Sequence, residues 1–180
     1  DLIHADAGAD VVVGDAQTVG ADESVDDGAD VMYGNEGHDT VYANGGADRV
    51  YGGDGDDQVT AGSGDDYVDA GDGSDQVSGG DGADVIVGGA GPNLIAQGGA
   101  GDDVITGSSG NDTLIGGDGD DRIFGLSGDD QIRGEAGEDF LSGGGGMDGL
   151  QGGAGADELH GGTHDDHLYG HTSAGTDDDH

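Results

Sequence analysis

Along this chain an aliphatic residue returns every nine positions, with glycine and polar residues between. The series reads Met32, Val41, Val50, Val59, Val68, Val77, Ile86, Ile95, Ile105, Leu114, Ile123, Ile132, Leu141, Leu150, Leu159 and Leu168. Every member is apolar in a chain only 31% hydrophobic, so the spacing is imposed. An aspartate stands two residues ahead of nearly all of them: Asp30, Asp39, Asp48, Asp57, Asp66, Asp75 and Asp84, then Asp103, Asp112, Asp121, Asp130, Asp139, Asp148, Asp157 and Asp166. Asn93 takes the intervening place, and Gln97 reads as one extra residue, a bulge that keeps the register. Gly79-Gly80-Asp81-Gly82-Ala83-Asp84-Val85-Ile86-Val87 is one clean copy of the unit, and Gly116-Gly117-Asp118-Gly119-Asp120-Asp121-Arg122-Ile123-Phe124 is another.

The unit predicts six residues of glycine-rich turn followed by three of strand. A helix is excluded: no 3.6-residue period exists, and glycine at this density destabilises helices. Two units make one coil, and coils stack their strands in parallel roughly 4.8 Å apart. The expected fold class is all-β, a right-handed parallel β-roll (a β-solenoid) with two nonapeptide repeats per coil. Eight coils would make a rod about 38 Å long. Residues 1–24 fit loosely: Asp10 heads one partial unit, and the stretch after it predicts a distorted coil or loop. Residues 25–96 form a first block of repeats, 98–169 a second, and 170–180 a polar tail. The opening in mid-pattern, with no convincing cap at either end, reads as a segment of something longer.

Charge changes this picture. Acidic residues number 41 against 3 basic ones, a formal net charge of -38, and there are 45 glycines and no cysteine. Such a chain is too polar and self-repelling to pack unless a cation neutralises it. Nucleic acid and anionic lipid are poor partners for it, and no apolar run approaches a membrane-spanning helix. Thiolate sites and disulfides are excluded.

The cation's place follows from the period. Units two repeats apart lie on the same side of the rod. Asp30, Asp48, Asp66, Asp84, Asp103, Asp121, Asp139 and Asp157 form one column. Asp39, Asp57, Asp75, Asn93, Asp112, Asp130, Asp148 and Asp166 form the other. A cation between stacked turns meets carboxylates and backbone carbonyls, an all-oxygen shell that suits Ca2+ and its 6–8 flexible ligands better than Mg2+. Seven gaps in each column give about fourteen sites, which would offset about 28 negative charges. Asn93 lacks the charge, so its sites should be weakest. His164 replaces a turn glycine and should be strained.

On these nonapeptides, roughly residues 25 to 169, the chain resembles the RTX (repeats-in-toxin) proteins of Gram-negative bacteria. The resemblance implies a calcium-loaded parallel β-roll, type I secretion and folding outside the cell, at the cell surface or beyond. Family members carry such blocks beside proteases, lipases, epimerases, pore-forming toxins, adhesins and surface-layer proteins. Three readings follow. The first is a secreted calcium-binding roll that folds into a rigid extracellular rod. The second is a building segment of a filament, adhesin or surface layer. The third is the carboxy-terminal secretion and folding module of a secreted enzyme or toxin.

No catalysis is expected within these residues: H-E-x-x-H, G-x-S-x-G and the EF-hand loop are all missing. His160, His164, His167 and His171 read as an exposed, unordered histidine-rich end before a zinc or nickel site. Outward strand positions divide by side. Val31, Tyr33, Tyr51, Tyr67, Val85, Val87, Val104, Phe124 and Phe140 line one face; the other is mostly Thr, Gln and Ser, with Tyr42, Leu94, Ile115 and Tyr169 as exceptions. Tyr33, Tyr51 and Tyr67, beside Arg49, form an expected outward ladder. It either stabilises its own sheet or supports lateral or end-to-end self-association.

Overall fold

The nine-residue period builds two parallel sheets facing each other. This computed structural model describes residues 2–4, 11–13 and 28–171, so Asp10, the irregular stretch after it and the tail from 172 lie outside the described residues. Among the described residues there is no helix, and successive strands alternate between the sheets, nine in each. Thus Val31–Glu36 pairs with Arg49–Asp54 in the first sheet, and Thr40–Gly45 pairs with Gln58–Ser63 in the second. Every pairing joins strands two apart in chain order, the β-solenoid arrangement the period requires.

Equivalent positions fall in register. Val50 lies between Met32 and Val68, and Ile123 between Ile105 and Leu141. The inward aliphatics from Met32 to Leu150 form one continuous core with almost no exposure. Leu159 packs against that core, and Leu168 in the last described coil is exposed. Burial of a stacked aliphatic column removes apolar area from water at about 25 cal/mol per Å2.

Strands run longer than the expected three residues. Most span six, because the ladder continues into the glycines: Gly53 pairs with both Asn35 and Gly71. Each six-residue strand therefore has two inward positions, the aliphatic and a small residue two later, such as Ala43, Ala61 or Gly134. Gly53 shows why the turn needs glycine. Its φ is 111°, and a Cβ there would strike the backbone of Asn35.

The insertion sits elsewhere than expected. Leu94, not Asn93, pairs with Asp75, and Ala96, not Ile95, pairs with Val77 and Leu114. The extra residue therefore lies in the turn at 88–93, and Gln97 is an ordinary outward strand residue. Burial decides the register: Leu94 is 1% exposed, whereas Ile95 is 52% exposed on the outer face. Placing Leu inward removes more apolar surface than the aspartate-aligned register would, and Ala96 makes room for it.

On the first sheet the aromatic ladder forms. Tyr33 and Tyr51 stack with ring centroids 5.0 Å apart, and Tyr67 lies 6.0 Å from Tyr51 but tilted. Tyr67 is register partner to Arg49, while Tyr51 faces Asp69, so the third ring is offset by two residues. Phe124, Phe140 and His160 continue a second ladder further along, with centroids 5.6 and 5.2 Å apart.

Candidate metal centre

Each column aspartate closes a glycine turn and opens a strand. Its backbone carbonyl accepts from the residue nineteen or twenty positions on, as in Arg49 N–H to Asp30 and Val104 N–H to Asp84. From Asp48 onward, its Oδ1 accepts the backbone N–H of the column member one coil earlier. Asp48 takes Asp30 at 2.7 Å, Asp121 takes Asp103 at 2.9 Å, and Asp130 takes Asp112 at 2.8 Å. The first column carries this bond without a break from Asp30 to Asp157.

The aspartates from Asp30 to Asp157 are buried, each at 3% exposure or less, and Asp166 is less covered. Their second oxygens carry the chemistry. Oδ2 of Asp57, Asp66, Asp75, Asp84, Asp103, Asp121, Asp130, Asp139 and Asp148 is buried with no hydrogen-bond partner. A buried carboxylate oxygen left so costs several kcal/mol unless something satisfies it. Oδ2 of Asp57, Asp84, Asp103, Asp130, Asp139 and Asp148 also faces a carbonyl of a neighbouring coil. The point where a Cβ would stand at Gly125 touches Oδ2 of Asp130 and lies 2.7 Å from the Gly143 carbonyl; at Gly134 the pair is Asp139 and the Gly152 carbonyl, 2.6 Å away. Carboxylate and carbonyl oxygens from successive coils thus converge on one small space.

Burial raises the carboxyl pKa values and the stacked neighbours add to it. Asp66 and Asp139 are pushed up to about 7, and Asp75, Asp103, Asp121 and Asp130 to about 6; burial leads, and neighbouring column carboxylates add to it. Asp57, Asp84 and Asp148 are raised as well, again by burial first. A stack of buried, mutually repelling carboxylates is a site that lacks positive charge. Among the described residues no three His, Cys, Asp or Glu side chains converge. An ion here would therefore take one or two carboxylates and complete its shell from backbone carbonyls, the donor set of a hard cation.

Not every expected ligand lies in the columns. Asn93 is exposed and bonds the Ser74 hydroxyl at 3.2 Å; Leu94 holds the column position. Asp10 lies outside the described residues. His164 adopts the strained left-handed φ expected of it, 89°. The histidines are more ordered than expected. His160 and His167 lie in the last two strands, and His160 pairs with Glu158 at 2.7 Å rather than with another histidine.

A second carboxylate row escaped the sequence reading. The residue ahead of a column aspartate accepts an N–H from one coil later: Asp65 from Ala83 at 2.9 Å, Asp102 from Asp120 at 3.0 Å, Asp120 from Glu138 at 2.8 Å. This outer row is exposed and clasps forward, while the buried column clasps backward. Its signal was the recurrent Asp-Asp pair at 56–57, 65–66, 102–103, 120–121 and 129–130.

A family model described as the RTX calcium-binding nonapeptide repeat (4 copies) matches residues 1–18, 24–59, 60–95, 95–123, 115–150 and 143–177. No curated protein matches the chain. The matches cover most of the sequence, and the chain belongs to the RTX calcium-binding nonapeptide repeat family.

Proposed function

We propose that this chain is a folding element switched by calcium. Ions taken between successive turns are held by Asp30, Asp48, Asp66, Asp84, Asp103, Asp121, Asp139 and Asp157 on one side. On the other they are held by Asp39, Asp57, Asp75, Asp130, Asp148 and Asp166, with glycine carbonyls completing each shell. The observation that carries this reading is the row of buried, unpartnered Oδ2 atoms facing carbonyls of the next coil. When bound, Ca2+ supplies the positive charge that lets these oxygens stay buried and ionised. The residues do the rest. The turn glycines bring coils close enough for two to share an ion, and the Oδ1 bonds hold each carboxylate in place.

The setting we assign is outside the cell, where calcium is plentiful, and the product of folding is a rigid rod. The role is binding and folding rather than catalysis. Family membership supports the calcium, and the charge of -38 supports a chain that stays unfolded until it meets it.

Circular dichroism tests the reading. At pH 8 in excess chelator the chain should be disordered, with β-signal appearing as millimolar calcium is added and Mg2+ substituting badly. A β-rich spectrum that persists in chelator at that pH would sink it. At residue level, Asp121→Ala should shift the calcium midpoint to higher concentration, and Asn93→Ala should leave it nearly unchanged. Equal shifts would place the ligands elsewhere.

A further inference from the structure

The second column is broken where the extra residue enters. Leu94 stands where Asp75 and Asp112 stand in the flanking coils. One of its methyls, Cδ2, lies 3.0 Å from where a Cβ would stand at Gly88, the space that a carboxylate oxygen occupies beside Gly125 or Gly134. With no carboxylate to bridge the coils, backbone pairing takes over. The strands Ser74–Asp81 and Asn93–Ala100 pair from their first residues and reach eight residues, against six in most others.

Asp112, on the far side of Leu94, is also closed to a ligand. Its Oδ1 accepts the Leu94 N–H at 2.6 Å and the Ser108 hydroxyl at 2.6 Å. Its Oδ2 accepts the Ser108 N–H at 2.7 Å. Ser108 is fully buried, and it stands where a second turn glycine stands in regular units. Asp112 is thus spared the unpartnered oxygen of Asp57, Asp75, Asp130 and Asp148 in the same column. The strands feeding the two turns, Val85–Val87 and Val104–Thr106, shorten to three residues because these turns fold differently from the rest.

We propose that Leu94, Ser108 and Asp112 form a metal-free joint. Neither position 94 nor position 112 ligates calcium, so the second column is two calcium blocks held together by an apolar and hydrogen-bonded brace. The first column runs past the joint unbroken through Asp84, Asp103 and Asp121. The inference rests on the reading that the other column aspartates hold calcium. It makes the roll asymmetric, since its two sides bind different numbers of ions and one side has a seam whose packing does not depend on the metal.

Native mass spectrometry of the calcium-loaded chain counts the ions. Asp112→Asn should leave the count of the wild type unchanged, while Asp130→Asn should lose at least one ion. Leu94→Asp, which restores the carboxylate missing from the second column beside Asp75, should gain one. Equal losses from Asp112→Asn and Asp130→Asn would overturn the joint. So would a Leu94→Asp chain that folds in calcium without gaining an ion. A wild type that binds no calcium would instead remove the calcium reading itself, and the joint with it. Should Asp112→Asn fail to fold, the Leu94→Asp count decides alone.

Discussion

Coils ahead of the turn at 88–93 and coils beyond Asp112 carry the same aspartate columns on different cores. In the first region Val41 is followed inward by Ala43, Val59 by Ala61 and Val68 by Ala70. In the second, Ile123 is followed by Gly125, Ile132 by Gly134 and Leu141 by Gly143. The methylene missing from valine returns as the methyl of alanine, so each coil fills nearly the same space. Val50 with Gly52 and Val77 with Gly79 fall one carbon short of that rule. The difference teaches that the core is limited by volume and its residues are exchangeable in pairs. The aspartates do not vary in this way: their Oδ1 bonds recur in both regions, at 2.7 and 2.9 Å in the first and 2.9 Å in the second. The left-handed slot of the turn differs too. Asn35 and Asn44 fill it early, where asparagine is tolerated, while Leu126 and Glu135 fill it later at greater strain.

If the carboxylates make the two regions alike, the largest effect should come from protons and should strike both together. The raised carboxyls lie above their ordinary value of 3.8 in the ion-free roll. Protonation therefore favours the roll: its contribution is complete below pH 3.8 and is lost as pH rises through about 6 to 7. In chelator the β-signal should be greater at pH 5 than at pH 8, and in calcium the affinity should fall as pH drops below 7. Hydrogen exchange confined to one region, or a flat pH profile, would break the comparison.

Next in size is the core. Ile123→Ala should lower stability in calcium by about 2–5 kcal/mol, the usual cost of emptying a close-packed aliphatic site. Ile95→Ala, on the outer face, should cost less than about 1 kcal/mol. Urea midpoints measure both, and equal losses would return Ile95 to the core and move the insertion.

An effect smaller than that of Ile123→Ala sharpens the comparison most. Gly134→Ala puts a methyl against Oδ2 of Asp139 and the Gly152 carbonyl, and should cost roughly 1–3 kcal/mol by overpacking. Adding Ile132→Val in the same chain imitates the earlier coils and should recover part of the loss. No recovery in the thermal midpoint would show that volume pairing does not govern the second region.

The solenoid and both aspartate columns were legible because each depends on local spacing. Val, Ile or Leu two residues after Asp leaves one inward and one turn position, whatever the neighbours do. The strand extension into the glycines was hidden, since glycine carries no side chain to signal an alternating face. The insertion was misplaced because both alignments around Asn93 put an aliphatic residue inward, Ile95 or Leu94, and a linear pattern cannot weigh one burial against the other. The outer clasp of Asp65, Asp102 and Asp120 was visible only as repeated acid pairs, whose hydrogen bonds need the coil above.

By itself, the sequence determined the coil: its period, its parallel stacking, the aspartate at the end of each turn and a charge that demands a cation. Tertiary structure alone decided which oxygens remain free. Asp130 and Asp112 look the same in sequence, yet Oδ2 of Asp130 is buried without a partner and that of Asp112 is held by the Ser108 N–H. Spacing assigns residue types to places, whereas satisfaction of a buried polar atom depends on what the next coil brings within hydrogen-bond reach.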